Sequence, residues 1–171
     1  MNTPLQQTVW SQFGAAIDMF ENAMQACPDE HWRAQLWNDP SVPPEFTEFW
    51  CVAQHTLFFL DLYLSGTEKD FAPPAPFTLS EMDDDGKPPE RIYTKRELQT
   101  YLDYCRSKCK STIAEMSDEQ AFQKCGVTWL DLNYAQLHLY NIRHVQEHAA
   151  QMALVLGQKI GWSPRWVKAA K

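Results

Sequence analysis

Glycine is scarce, at six of 171 residues, and the eleven prolines avoid the whole stretch between Glu90 and Ser163. A many-turned β fold draws on both residues throughout, whereas a long proline-free run suits helices. The five cysteines (Cys27, Cys51, Cys105, Cys109, Cys125) are odd in number and include no C-x-x-C pair. That argues against a disulfide framework and for reduced thiols. Basic patches are missing too: 15 Lys and Arg face 22 Asp and Glu, for a net charge of −7. The densest cationic stretch, Lys95 and Arg96 with Arg106, Lys108 and Lys110, is diluted by polar residues. Such a chain repels a polyanion on average, so nucleic acid is not an expected partner. The richest apolar run, Thr56 to Leu64, is interrupted by Asp61 and too short for a bilayer. Met1-Asn2-Thr3-Pro4-Leu5 carries neither the basic nor the apolar segment of a leader, which predicts a cytoplasmic address and no membrane partner. The sequence also lacks G-x-S-x-G, a P-loop, a dinucleotide fingerprint and H-E-x-x-H.

What is present is apolar and helical. With 44% apolar and 13% aromatic residues, residues 1–171 can build the core of one ordinary domain. Thr3-Pro4 reads as an N-cap with proline at the first helical position. Leu5, Val9, Phe13, Ile17, Phe20 and Met24 then recur at steps of three and four until Pro28 ends the helix. An irregular connection follows from Asp29 to Pro44. The second helix is predicted from Glu45 to Ser65, with Gly66 as its stop. Thr94-x-x-Glu97 is a capping box for the third, whose stripe of Leu98, Leu102, Cys105, Cys109, Ile113 and Met116 makes both cysteines core residues rather than ligands. Ser117-x-x-Gln120 can cap a short turn. Asn133 caps the fourth helix, predicted to end at Leu156 before Gly157. Residues 66–93 are the longest irregular stretch, and the spacing of Asp83-Asp84-Asp85-Gly86 within it fits a solvated turn, not a calcium loop.

These elements predict an all-α fold, a four-helix bundle with a long crossover loop between helices two and three. Phe58, Phe59, Leu60, Leu62, Tyr63 and Leu64 surround the axis of helix two. They need cover from the long loop and the tail or from a second copy, and a homodimer is the expectation. The closing Trp162-Ser163-Pro164-Arg165-Trp166-Val167 is aromatic enough to dock back on the body.

Three of the five histidines form a pattern. His144 and His148 are four apart on a helix and so stack on one face, about 5–6 Å apart at Cβ. Leu137, Asn141, Met152 and Val155 continue that stripe, which places the pair inward. His55 lies in the apolar second helix near Cys51, Val52, Phe59 and Leu62. Hydrogen-bonded core histidines and a three-imidazole metal site both fit this pattern. Neutral imidazoles are good ligands for zinc, nickel, copper or iron, and three leave a position for water or substrate. His31 beside Trp32 is read as an ordinary residue. So is His138, about 100 degrees around the helix from the pair. Glu147 and Asp61 point away from the histidines and are not general-base candidates.

Gln54-His55-Thr56-Leu57 and the run Asn141 to Met152, with its His144-Val145-Gln146-Glu147-His148-Ala149-Ala150-Gln151 core, resemble the DinB-like (DinB/YfiT-type) bacterial four-helix-bundle family. Phe71-Ala72-Pro73-Pro74-Ala75-Pro76-Phe77 and Pro164-Arg165-Trp166-Val167 extend the resemblance over almost the whole chain. It implies one divalent transition metal per chain, zinc or nickel foremost, held by His55, His144 and His148. It further implies dimers and, in some relatives, use of small thiols such as bacillithiol or mycothiol. Three functions are therefore expected to compete. The first is transfer of a low-molecular-weight thiol to an electrophile, with the metal activating the thiol and no protein nucleophile. The second is metal-dependent hydrolysis with water as nucleophile. The third is a non-catalytic metal-binding or stress-response role.

Overall fold

The structure is a computed structural model that describes residues 3–83 and 87–170. Most of the acidic turn expected at residues 83–86 therefore lies outside the described residues.

Local signals start three of the four long helices. Thr3 Oγ1 accepts from the backbone N–H of Gln6, and the Gln6 amide oxygen returns the bond to Thr3 N, at the head of α1 (Pro4–Ala26). Later in the chain lie α2 (Phe49–Ser65), α3 (Lys95–Glu115), the short α4 (Asp118–Ala121) and α5 (Tyr134–Ile160). The same reciprocal box forms at Thr94/Glu97 before α3, at Ser117/Gln120 before α4 and at Asn133/Gln136 before α5. Each satisfies helix-end N–H groups that have no intrahelical partner.

Two helix ends differ from the sequence expectation. α2 begins at Phe49, not Glu45, because residues 44–47 make a 3-10 turn closed by Thr47 Oγ1 on Pro44 O. The backbone there pairs with the preceding segment instead of a helix, through Leu36 N to Thr47 O at 2.7 Å and Phe49 N to Ala34 O at 2.9 Å. α5 passes through Gly157 and stops at Gly161, which takes φ 67°. One glycine inside a 27-residue helix costs only about 1 kcal/mol, too little to break it. Gly66 does end α2, at φ 73°, and a Cβ there would also lie 2.3 Å from the Tyr134 ring.

The long helices form a ring in which α1 and α2 are diagonal, each packing against α3 and α5. Gln6 reaches Ala114 and Met116 at one end of the α1–α3 pair, and Gln25 reaches Gln99 at the other, so these two run antiparallel. Leu57 faces Cys105 while Ser65 faces Lys108, so α2 and α3 run in the same direction. Two parallel neighbours cannot be joined by a tight turn, and residues 66–94 carry the chain back along the bundle. The main core runs through Phe13, Ile17, Phe20, Leu57, Leu60, Leu98, Leu102, Val145 and Met152.

A second cluster covers the far side of α2. Phe58, Leu62 and Tyr63 pack with Cys125, Val127 and Leu137, and Phe71 and Leu130 close over them. Most of the apolar circumference of α2 is thus covered within one chain, with Phe59 left half-buried. The tail docks on α1, with Ala170 N bonded to Ser11 O and Gln12 Nε2 to Lys168 O. One buried polar network also fastens α2 to α3: Lys108 and Tyr101 both donate to the fully buried Asp61 carboxylate, at 2.5 and 3.0 Å. No described helix is long and apolar enough to cross a membrane.

Candidate metal centre

The antiparallel α2–α5 contact sets the register of the site. Asn141 Nδ2 donates to Leu60 O at 3.1 Å, and Tyr63 stacks edge-on against Tyr140. One to two turns further along this contact, His55 of α2 meets His144 and His148 of α5. Each of the three residues offers a ligand atom within 4.8 Å of the others. His55 Nε2 and His144 Nε2 are 3.4 Å apart. Two nitrogens at about 2.0–2.1 Å from a tetrahedral ion lie about 3.3–3.4 Å apart, so this pair has a ligand-pair separation.

The surroundings set the tautomers. Glu81 Oε2 lies 2.9 Å from His55 Nδ1 and accepts its proton, which leaves Nε2 with a free lone pair. Gln151 Oε1, an acceptor, lies 2.8 Å from His148 Nδ1 and has the same effect there. Outer partners of this kind orient imidazole ligands and raise their basicity. His144 Nδ1 is buried with no partner. Burial, followed by the neighbouring His148 and His55, pushes the His144 pKa down to about 2, and burial lowers that of His148 as well. Three imidazoles whose ligand atoms lie this close together are the donor set that a borderline divalent ion takes. The residues fit such an ion.

The centre is less enclosed than an inward stripe suggests. All three histidines are half-buried, and His55 keeps 36% of its side-chain surface. The opening leads into a cleft of about 360 Å³ lined by Trp37, Val42, Phe46, Cys51, Val52, His55, Glu81 and His148. Cys51, one turn before His55, is not a ready nucleophile. Burial, with the Glu81, Glu48 and Glu45 carboxylates adding to it, pushes its pKa up to about 12, so it stays a thiol at neutral pH.

Of the residues singled out from the sequence, His55, His144 and His148 are brought together. His138 is not, and lies buried without a hydrogen bond at its Nδ1. Asp61 is taken up by Lys108 and Tyr101. Glu147 does not line the cleft. Sequence reasoning missed Glu81, which sits in a 3-10 turn (Ser80–Met82) of the crossover segment. No periodicity marks a residue there, and only the path of the loop brings it to His55. Trp37, Val42 and Phe46 were missed for the same reason.

The family model of the DinB superfamily matches residues 12–152, and the chain belongs to that superfamily. No curated protein matches it.

Proposed function

We propose that this DinB-superfamily chain is a divalent-metal protein, one ion per chain and zinc or nickel foremost, that transfers a small thiol to an electrophile. The observation that carries the proposal is the convergence of three imidazoles beside a cleft whose one cysteine, Cys51, stays a thiol. His55, His144 and His148 would hold the ion, which when bound makes a thiol or water more acidic. The chain's own residues do the rest. Glu81 and Gln151 fix two ligand rings, and Phe59 packs against His55 at 4.8 Å between centroids. Cys51 stays protonated, so the sulfur that forms the new bond to carbon comes from the cosubstrate, and the carbon's leaving group departs with its electron pair.

Hydrolysis is a second reading, and one observation favours it. A general base was missing from the sequence, and Glu81 Oε1 is a buried carboxylate oxygen without a partner at this cleft. One experiment tests both. Purified wild type is assayed for metal content and for conjugation of a small thiol to a benzylic halide, with hydrolysis of simple esters in parallel. Thiol transfer predicts conjugation that chelation abolishes, that added metal restores, and that survives Cys51→Ala. Ester cleavage alone favours the hydrolase. Full metal with neither activity leaves a binding or stress-response role, and retention of metal by His144→Ala refutes the site.

A further inference from the structure

We propose that the cleft selects substrates carrying an uncharged, flat apolar group of one or two rings, held on Trp37, Val42 and Phe46. This rests on the use of the site proposed above and names its substrate class. At about 360 Å³ the cleft is near the lower limit of ligand pockets, about 300–1,000 Å³, which suits a small molecule better than a peptide or an acyl chain. Its lining combines the apolar Trp37, Val42, Phe46 and Val52 with Cys51, His55, Glu81 and His148, and no Lys or Arg is among the lining residues. A ligand seated there therefore meets apolar side chains and the His55 and His148 imidazoles in one cleft.

Hydrogen bonds within one segment hold the apolar residues of the cleft in place. Residues 32–50 double back on themselves through Trp50 N to Trp32 O, Phe49 N to Ala34 O and Leu36 N to Thr47 O. Arg33 grips both oxygens of Glu48 at 3.0 and 2.9 Å, and the Trp50 indole donates to the same carboxylate at 2.6 Å. Asp39 closes the tip by accepting from the Ser41 amide and hydroxyl. Leu36 and Phe46 pack onto the core, yet the adjoining Trp37 keeps 38% of its surface exposed at the cleft. A hydrogen-bonded support that places one indole in the same cleft as His55 and His148 is a recognition platform, because an aromatic side chain offers large contact area with little entropy to lose.

The test uses the full-length, metal-loaded protein and an unreactive probe, 2-naphthylmethanol, whose dissociation constant is read by ligand-observed NMR. Glycerol serves as the polar comparison. The wild type should bind the naphthyl probe and not glycerol. Trp37→Ala and, separately, Val42→Asp should weaken it by about fivefold or more, while Trp166→Ala, on the exposed tail, should not. Far-UV circular dichroism confirms that each variant is folded. In turnover with one thiol, the preference for a benzylic over a methyl electrophile with the same leaving group should fall in Trp37→Ala. Probe binding lost in Trp37→Ala without any turnover keeps the cleft assignment and removes the proposed activity. Turnover with probe binding and benzylic preference untouched by Trp37→Ala and Val42→Asp overturns the cleft assignment and leaves the activity standing.

Discussion

Replacing Glu81 by Ala removes the partner that holds His55 in its ligand tautomer. In the wild type the carboxylate sits 2.9 Å from Nδ1, with 8% of its side-chain surface exposed, so water competes poorly for the bond. Without it, the half-exposed imidazole can rotate, and either nitrogen can carry the proton. Loss of such an outer partner typically weakens metal binding by about 10–100-fold, or about 1.4–2.7 kcal/mol. Glu81→Gln should lose less, because its amide oxygen can still accept from Nδ1 and only the charge is gone. Affinity is read by competition with a chromophoric chelator at fixed pH. Cobalt absorption bands then report whether the geometry of the remaining site changes. The order expected is wild type, then Gln, then Ala. Equal affinity for wild type and Glu81→Ala, within about twofold, would falsify the assignment of Glu81 as the orienting group.

Other outcomes follow from the same geometry. Replacing His55, His144 or His148 by Ala should each release most of the metal in elemental analysis, whereas His138→Leu should retain it. His138 is itself expected to make the fold acid-sensitive. Burial lowers its pKa from 6.5 to about 4, so the unfolded chain takes up a proton that the folded chain refuses. Its contribution is present above pH 6.5 and is lost as pH falls toward 4, by an order of about 3 kcal/mol. Urea titrations of the metal-free protein should show a smaller loss between pH 7 and pH 4.5 for His138→Leu than for wild type. Asp61→Ala leaves the buried Tyr101 hydroxyl without its acceptor, while Lys108 keeps Asp61 O and Ser65 Oγ, and should cost about 1–3 kcal/mol; an unchanged urea midpoint would show that the network carries no stability. Thr94→Ala removes the acceptor for Glu97 N at the head of α3 and should cost about 1 kcal/mol by the same assay.

The caps, the stripes and the histidine pair were legible in the sequence because each is a local relation. Thr94 and Glu97, or His144 and His148, are close enough along the chain for helix geometry alone to fix their distance. The stop at Gly66 was legible for the same reason, and the overrun of α5 past Gly157 shows where a local rule is too weak to decide. The tertiary structure decided what depends on distant segments. His55 lies 89 residues from His144, and only the antiparallel α2–α5 register brings their Nε2 atoms to 3.4 Å. Phe71 and residues 125–137 of the same chain pack on the apolar α2, a contact that no local pattern in the sequence announces. Glu81 and Trp37 belong to irregular segments with no repeating pattern to read. Their place at the cleft is fixed by backbone pairs such as Leu36 with Thr47 and by the route that a parallel α2 and α3 force on the crossover. A helix face is set by a period of 3.6 residues, but the position of a loop over that face is set only by the sum of its contacts.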